Sequence, residues 1–372
     1  MNTPKSLNII LIEPFYTGSH KSWADNYKKN SQHNIIILSL KGIYWKWRMH
    51  GGAITLAKMF NDYTNENGMP DLLFVTDMLN LPVFESFANI NGIPIVSFFH
   101  ENQLTYPWST QDRDKEKNRD HHYGFINYTT ALRSNKIIFN SKFHKDSLIN
   151  ALKKFLKQFP DYNGLSNVDT IDKKSIVGYL GLDLKKFDKY KTINNNKKPI
   201  ILWNHRWEYD KNPSDFFKCL EAIKLEGFEF QLVVLGEQFD TEMDIFSHAR
   251  ILFEKEIIHI GYCQSFAEYA TWLWKADIIP VTTNQEFFGA SILEAVYCNT
   301  HPLLPTRLTY PELFDNKLNQ QHFYIDHNDL INKLKKLLIQ KKYKTLSSYS
   351  FNYDWSIVAP KYDKILEGTL CH

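Results

Sequence analysis

Short, continuous apolar runs recur along this 372-residue chain, and they constrain its fold more than any other feature. Apolar runs that do not alternate with polar residues are typical of parallel strands buried on both faces. In the first half of the chain, runs of strand length occupy residues 7–13, 33–40, 71–77, 93–100, 136–141 and 175–183. The segments between most of them are long enough for helices, which predicts a doubly wound α/β domain.

A polar segment rich in asparagine and lysine, residues 189–198, is followed by a second series with the same rhythm. Such a linker marks a domain boundary, and the chain exceeds the roughly 250 to 300 residues at which single cores stop growing. We therefore predict an α/β protein of two Rossmann-like domains that face a central cleft. The predicted parts are a first domain, 1–188, a second domain, 199–352, and a C-terminal segment, 353–372.

Charge and cysteine content exclude several classes of protein. The 44 basic and 41 acidic residues give a net charge of +3, too small to indicate a nucleic-acid binder by itself. The four cysteines are far apart, which argues against a zinc site or a disulfide framework. His121 and His122 are adjacent and do not form a metal-ligand pair. With no leader or membrane-spanning run, the sequence predicts a cytoplasmic protein without membrane insertion.

Polar loops follow several of the predicted strands, where α/β proteins bind ligands. After the first strand, Gly18 permits close approach of a ligand, and a helix starting near Ser19 would offer N–H groups to a diphosphate. A plain helix N-cap is the alternative. At the start of the second series, Arg206 and Lys211 could hold one diphosphate from two directions. Their alternative is a surface ion pair with Glu208 or Asp210.

The segment EFFGASILE, residues 286–294, places a glutamate at each end of a glycine turn. Gly289 permits the turn, and the N–H groups of Ala290 and Ser291 would face phosphate oxygens at a helix N-terminus. Glu286 could then reach the hydroxyls of a bound sugar, and Glu294 a ribose diol. The alternative makes Glu286 a helix N-terminal charge and Glu294 an exposed helix residue.

These motifs together resemble the retaining nucleotide-sugar glycosyltransferases of family 4, which have the GT-B fold. The resemblance rests on the paired glutamates with Phe288 and Gly289 between them, the Arg206 and Lys211 loop, the segment LGLDLKKF and the N-terminal glycine loop. More narrowly, EPFYTGSHKSW, FHENQLTYP, NHRWEYDKNPSDFF and EFFGASILEAVYC resemble the tRNA-queuosine mannosyltransferases. Members of that family transfer mannose from GDP-mannose to queuosine in a tRNA anticodon.

The resemblance implies that domain 1–188 binds the acceptor, that domain 199–352 binds the donor, and that a C-terminal helix, 353–372, crosses back to the first domain. It also implies roles for specific residues. It implies catalytic roles for His100, Arg206, Lys211 and Glu286, although a structural role is the alternative for His100. The implied donor-binding residues are Gly18, Ser19, Phe288, Gly289, Ala290, Ser291 and Glu294. The implied acceptor residues include His20, Lys21, Glu101 and Asn102. Neither a cofactor nor a metal is expected, since Arg206 and Lys211 would balance the charge of the leaving diphosphate. Thr17 departs from the family pattern, which has a second glycine there.

Two segments of the first domain have the composition of an RNA or lipid contact. In YWKWRMHGG, residues 44–52, aromatic and basic residues alternate, and Trp45, Lys46, Trp47 and Arg48 are candidate RNA contacts. On a strand or extended loop the aromatic and the basic side chains would lie on opposite sides, so only one set could face the RNA. An edge segment with buried tryptophans is the alternative. The lysine-rich helix at 143–159 is interpreted as solvated, and the charged segment 111–122 as either a mobile lid or a solvated loop.

The expected partners are a nucleotide sugar and a tRNA carrying queuosine. A second enzyme hypothesis keeps the chemistry and replaces the tRNA with a lipid-linked or polysaccharide glycan, for which the lysine-rich helix could serve as a membrane contact. A third hypothesis is a non-catalytic RNA-binding protein. The joint presence of Arg206, Lys211, Glu286 and Glu294 disfavours it, because a shell without chemistry has no need for them.

Overall fold

The computed structural model describes residues 6–107, 121–192, 196–236 and 244–370. The chain divides into two compact units. Unit 1 combines Met1–Gly181 with Trp355–His372, and unit 2 is Leu182–Asp354. Each unit has a six-stranded sheet whose strand pairs are all parallel, with helices between successive strands. This confirms the predicted α/β class with two Rossmann-like units.

Unit 1 contains strands β1 to β6, in the sheet order β2-β1-β3-β4-β5-β6. The strands are β1 (Asn8–Tyr16), β2 (Asn34–Lys41), β3 (Leu72–Thr76), β4 (Ile95–Phe99), β5 (Lys136–Phe139) and β6 (Ser175–Val177). The strand order reverses between β1 and β3, so their carboxyl ends form the topological switch point, and the carboxyl end of β4 lies next to it. The sequence elements FYTGSHK and HENQ follow β1 and β4, and the fold therefore brings them to one edge.

The helices of unit 1 cover the sheet. They are α1 (Gly18–Asn30), α2 (Trp45–Asn67), α3 (Leu81–Phe87), α4 (His121–Arg133), α5 (Lys142–Leu156) and α6 (Asn167–Lys174). Ile10 and Ile12 of β1 pack with Leu56 and Phe60 of α2 in one buried cluster. A second cluster joins β5 to α5 through Phe139, Leu148 and Leu152.

Unit 2 repeats the arrangement with β7 to β12, in the sheet order β12-β11-β10-β7-β8-β9. The strands are β7 (Ile200–Asn204), β8 (Gln231–Leu235), β9 (Ile257–Gly261), β10 (Ile278–Pro280), β11 (His301–Pro305) and β12 (Phe323–Tyr324). The helices are α7 (Pro213–Leu225), α8 (Asp244–Leu252), α9 (Phe266–Lys275), α10 (Ala290–Tyr297), α11 (Tyr310–Leu313), α12 (His327–Gln340) and α13 (Ser347–Ser350). The switch point lies between β7 and β10, the strands that precede the Arg206 loop and EFFGASILE.

The last helix, α14 (Trp355–Leu370), belongs to unit 1. Its Asp363 is buried and accepts hydrogen bonds from Tyr27 Oη at 2.8 Å and Ser31 Oγ at 2.6 Å. The first boundary between the units precedes the predicted residue 188, because Phe187 packs on Phe266 and its carbonyl accepts a 2.9 Å bond from Trp274 Nε1. The acceptor and donor roles of the two units stay predictions.

The alternating composition of segment 44–52 suggested an extended conformation, and this prediction was wrong. Tyr44 is the N-cap residue of α2, and the rest of the segment forms the first turns of that helix. The reason lies downstream, because Met49, Ala53, Leu56 and Phe60 follow helical spacing and are all buried. A helical period sustained over 23 residues therefore outweighs a local period of two. Of the charged segment 111–122, residues 111–120 lie outside the described residues, and His121 and His122 begin α4.

The lysine-rich helix, α5, buries Leu148, Leu152 and Phe155 as its periodicity predicted, whereas Phe159 follows the end of the helix and is exposed. Within the described ranges, no helix combines the length and the apolar character that crossing a membrane requires.

Candidate active site

Lys211 is the centre of a buried charge cluster at the switch point of unit 2. It ends a short 3-10 helix, Tyr209–Lys211, in the loop after β7. Its Nζ lies 3.0 Å from Asp210 Oδ2 and 3.3 Å from Glu286 Oε2, and it donates to the carbonyl of Gln285 at 3.2 Å. Burial lowers the pKa of Lys211, but the two carboxylates more than offset that effect and raise the pKa above its ordinary value. Lys211 is therefore a buried cation, not a surface one.

Glu286 is held in the same cluster by its own turn. Its Oε1 accepts a hydrogen bond from the Phe288 N–H at 3.3 Å, while Oε2 faces Lys211. Burial raises the pKa of Glu286, but the charge of Lys211 and the bond from the Phe288 N–H lower it below the ordinary value. The carboxylate is therefore ionised at neutral pH and fixed in position next to a cation.

Arg206 takes a different position from Lys211. Its side chain is about half exposed, at 51%, and its Nη2 lies 3.0 Å from Glu208 Oε2. The ion pair with Glu208 proposed as its alternative is therefore present. The guanidinium is still close enough for its charge to lower the pKa of Lys211. The structure thus brings both predicted cations to one edge of the sheet, one buried and one exposed.

A glycine turn places the N-terminus of α10 beside this cluster. Gly289 has φ of +87°, and α10 begins at Ala290, followed by Ser291. The first N–H groups of a helix have no acceptor within the helix, and the helix dipole makes this end favourable for anions. Phe288 is buried and its ring packs edge-on against Tyr353 at 5.5 Å, so it anchors the turn in the interior.

Glu294 lies on α10 at the end of a chain of hydrogen bonds. Its Oε2 accepts from Tyr269 Oη at 2.7 Å, and Tyr269 Oη accepts from Asn204 Nδ2 at 3.0 Å. Asn204 Nδ2 also donates to the Ser291 carbonyl at 2.9 Å, which ties β7 to the start of α10. Burial raises the pKa of Glu294, although the bond from Tyr269 opposes that shift. Glu294 is therefore not the exposed helix residue of the alternative interpretation.

Unit 1 has a second cluster at its own switch point. Glu13 at the end of β1 is fully buried, and its Oε2 lies 3.1 Å from His20 Nδ1. The His20 ring lies 4.2 Å, centroid to centroid, from the ring of His100. The backbone N–H of His100 donates to Asp77 Oδ1 at 2.7 Å. Gly18, with φ of +49°, and Ser19 are exposed at the start of α1, where Thr17 is the N-cap but makes no side-chain cap.

The loop after β4 is folded on itself. Asn102 is fully buried, and its Oδ1 accepts from both the N–H and the hydroxyl of Thr105 at 3.0 Å. Glu101 is half-buried and accepts from Gln103 Nε2 at 2.7 Å. Asn102 therefore shapes the loop from inside, and an acceptor contact by its side chain stays a prediction. Lys21 is exposed on α1 and pairs with Asp25.

The first turn of α2 divides its aromatic residues between interior and solvent. Trp45 packs on Tyr123 at 5.0 Å, and Lys46 Nζ lies over the Trp45 ring at 5.6 Å. Tyr44 and Trp47 are 77% and 62% exposed. Arg48 Nε donates to the Lys41 carbonyl at 2.9 Å. We call Tyr44, Lys46, Trp47 and Arg48 the α2 surface.

Two groups of possible metal ligands come together in the described ranges, although no spacing in the sequence indicated them. They are Glu13, His20 and His100, and His259, Cys263 and Glu268. In the first group the Glu13 and His20 contact is already a hydrogen-bonded ion pair. In the second, Cys263 approaches Nε2 of His259 at 3.9 Å and Glu268 approaches Nδ1 at 3.8 Å. We assign no metal to either group, because each already consists of hydrogen-bond and ion-pair contacts between its members.

Several residues of both clusters were missed in the sequence. Asp77, Asn204 and His205 lie at or just after the carboxyl end of a strand, and Glu13 lies three residues before the end of β1, which is the signal that could have found them. His205 is buried with its Nε2 unpartnered, and burial together with Lys211 lowers its pKa to about 3. Tyr269, on α9, had no such signal.

Comparisons with known proteins match both units. Residues 8–182 match the family model described as tRNA-queuosine alpha-mannosyltransferase N-terminal, and residues 185–352 match glycosyl transferases group 1. The chain is 29% identical over 338 residues to the tRNA-queuosine alpha-mannosyltransferase of Drosophila melanogaster, a match that covers 88% of this chain and 86% of the relative.

Solved structures share the fold at low sequence identity. HepE of Anabaena in complex with UDP has a TM-score of 0.69 at 14% identity, with 97% of this chain and 100% of that chain covered. Sucrose-phosphate synthase of Thermosynechococcus elongatus has a TM-score of 0.68 at 13% identity, with 98% and 99% covered. At these identities the similarity establishes the fold alone.

Proposed function

Because this chain belongs to the tRNA-queuosine α-mannosyltransferase family of GT-B glycosyltransferases, we propose that it transfers mannose from GDP-mannose to queuosine in a tRNA anticodon, with retention of anomeric configuration. The observation that carries the chemistry is the cluster of Lys211 and Glu286 beside the N-terminus of α10. Free cysteines suit a reducing compartment, and we place the reaction in the cytoplasm.

In this proposal unit 2 binds the donor. Departure of the nucleoside diphosphate builds negative charge on its phosphates, and stabilising that charge is the largest electrostatic demand of the reaction. Lys211, Arg206 and the first N–H groups of α10 supply positive potential, so neither a metal nor a cofactor is required. Lys211 already contacts Asp210, Glu286 and a carbonyl, so binding to phosphate exchanges one of these contacts.

The two glutamates of unit 2 bind opposite ends of the donor in this proposal. Glu286 is ionised and accepts hydrogen bonds from mannose hydroxyls. Glu294 has one oxygen occupied by Tyr269, and its other oxygen accepts from the ribose. Gly289 keeps the turn between them narrow, since a Cβ there would lie 3.2 Å from the Tyr310 ring.

Unit 1 binds the acceptor in this proposal. His100 is neutral, because burial and the neighbouring His20 hold its pKa well below the ordinary value. A neutral imidazole can exchange hydrogen bonds with sugar hydroxyls. His20 and Lys21 lie in the first turn of α1 and Glu101 in the loop after β4, and we assign these three to the acceptor. Gly18 and Ser19, which begin α1, are assigned to the donor. The α2 surface supplies exposed rings for stacking with anticodon bases and cations for the phosphates.

The decisive experiment supplies the purified protein with GDP-mannose and total tRNA, either from cells that make queuosine or from cells that cannot. The RNA is digested and its nucleosides are weighed by mass spectrometry. We expect queuosine to gain the mass of one hexose only with the competent tRNA. If the protein consumed GDP-mannose with a glycan but not with tRNA, the acceptor would be a glycan and not tRNA. If it reacted with no nucleotide sugar at all, the result would favour the non-catalytic RNA-binding hypothesis.

Trp47 offers a specific prediction for tRNA binding. Substituting Trp47→Ala removes an exposed ring, and loss of one base stack of about 1–3 kcal/mol should weaken binding of an anticodon stem-loop about tenfold. Fluorescence anisotropy with labelled RNA measures this change, while the KM for GDP-mannose should be unaltered. Phe87→Ala, which removes a 56% exposed ring on α3, is the matched control and should bind normally. Equal affinity of the two variants would contradict the role of the α2 surface.

A further inference from the structure

The side chain of Glu13 is held in place by the shape of β1 and by contacts to both of its oxygens. The pairing of β1 with β2 has a register shift between Glu13 and Tyr16, and such irregularities re-aim side chains near active sites. One oxygen, Oε1, accepts the Phe15 N–H at 2.8 Å. The other, Oε2, contacts His20 Nδ1 at 3.1 Å. Both oxygens are therefore committed, and the fully buried side chain has one orientation.

The contact also sets the charge of His20. Burial alone lowers the pKa of His20, but the carboxylate of Glu13 more than offsets this, and with Asp77 and Glu101 it raises the pKa to about 9. Glu13 lies near the end of β1, Asp77 follows β3 and Glu101 lies in the loop after β4, and the ring of His100 also faces His20. His20 is therefore an imidazolium at neutral pH.

The neighbouring ring takes the opposite state. His100 is enclosed by Trp23 and Phe98, each 4.7 Å from it between ring centroids, and its Nε2 is buried without a partner. Burial and the charge of His20 both lower the pKa of His100, so His20 is the protonated ring of the two. A fixed donor, His20, thus lies against a neutral ring, His100, that keeps a lone pair.

We propose that Glu13 is a positioning residue for glycosyl transfer, which acts through His20 by holding that ring in one orientation and as a cation against His100. The proposal rests on the proposed function. Glu13 is fully buried and does not itself reach a substrate, whereas the side chain of His20 retains 11% exposure. The pair would offer one hydroxyl-binding site with a fixed donor and a neighbouring acceptor.

The charge of His20 can be measured without any substrate. Nuclear magnetic resonance of histidine-labelled protein should show one imidazole that titrates near pH 9, and that signal should be absent from a His20→Gln variant. In Glu13→Gln this pKa should fall by more than about one unit, whereas Glu13→Asp, which keeps the charge, should retain most of the shift. A His20 that titrates at its ordinary value in the wild type, or that is unchanged in Glu13→Gln, would overturn the proposal.

The pH dependence of kcat/KM separates positioning from a general loss of structure. The wild type should lose activity as His20 deprotonates near pH 9, and Glu13→Gln should move this limb to lower pH. With a pKa one unit lower, the variant should be about fivefold worse relative to wild type at pH 9 than at pH 6, because at pH 9 about half of the wild-type His20 but only about a tenth of the variant's His20 is protonated. A loss of equal size at both pH values would indicate a purely structural role and overturn the proposal.

The matched control is Glu367→Gln. Glu367 on α14 lies 3.6 Å from His33, and His33 precedes β2, at the sheet edge opposite to Glu13. Its pH profile should coincide with that of the wild type, and a shared shift would contradict the specific role of Glu13. Failure of the proposed function gives a different result. The wild type would then transfer no hexose at any pH, whereas the pKa of His20 could still be measured by magnetic resonance in the wild type and in Glu13→Gln.

Discussion

Substituting Lys211→Met should lower kcat at least about 100-fold, the loss typical when one preorganised electrostatic contact to a transition state is removed. Methionine keeps much of the length of lysine and removes the charge. The same substitution leaves Asp210 and Glu286 facing each other without a cation, which should cost about 3–5 kcal/mol of unfolding free energy. Single-turnover kinetics with GDP-mannose and queuosine tRNA, together with thermal unfolding, measure the two effects.

Two further variants separate catalysis from stability in that experiment. Lys198→Met removes a cation whose partner is the exposed Glu229, at 2.9 Å, and should change unfolding free energy by less than about 1 kcal/mol with normal kcat. Combining Lys211→Met with Asp210→Asn removes one of the two uncompensated carboxylates, so it should recover part of the lost stability but no activity. A Lys211→Met enzyme that keeps more than a tenth of its kcat would show that the diphosphate is stabilised by other groups.

The fold could be predicted from the sequence because its signals are local. Unbroken apolar runs such as Leu72–Thr76 and Ile95–Phe99 become fully buried parallel strands. The turn at Gly289 follows from one residue and the helix after it. The comparisons confirm the family resemblance. The sequence could show it because the family motifs lie in loops that follow strands, where a few residues carry the pattern.

The side-chain environment of the candidate site could not be predicted in the same way. Whether Lys211 or Arg206 would be buried depends on packing against Gln285 and Glu286, which lie more than 70 residues away in the sequence. The contact of Tyr269 with Glu294 joins α9 to α10, and neither residue indicates the other. At the start of α2, the local pattern misled because the burial of residues further along the helix determined its conformation.

The glycine after β8 should tolerate no side chain. Gly236 has φ of +147°, and a Cβ there would lie 2.1 Å from the carbonyl oxygen of His205 and 2.8 Å from the Trp207 ring. The obstructing atom belongs to the backbone of the Arg206 loop, so relief requires that this loop move. Gly236→Ala should therefore lower unfolding free energy by about 3 kcal/mol or more, in the range of severe backbone and packing defects.

Gly227 provides the control that isolates this clash. It also has a positive φ, of +82°, but nothing lies within 4 Å of a Cβ built on it. Gly227→Ala should therefore show only the cost of a left-handed conformation, about 1–2 kcal/mol, with unaltered kcat. Gly236→Ala should lose more stability and, because the displaced loop carries Arg206, should also bind GDP-mannose more weakly in calorimetric titration. Equal stability of the two variants would mean that the His205 carbonyl can move away at little energetic cost. Normal donor binding by Gly236→Ala would show that the position of this loop does not affect recognition of the diphosphate.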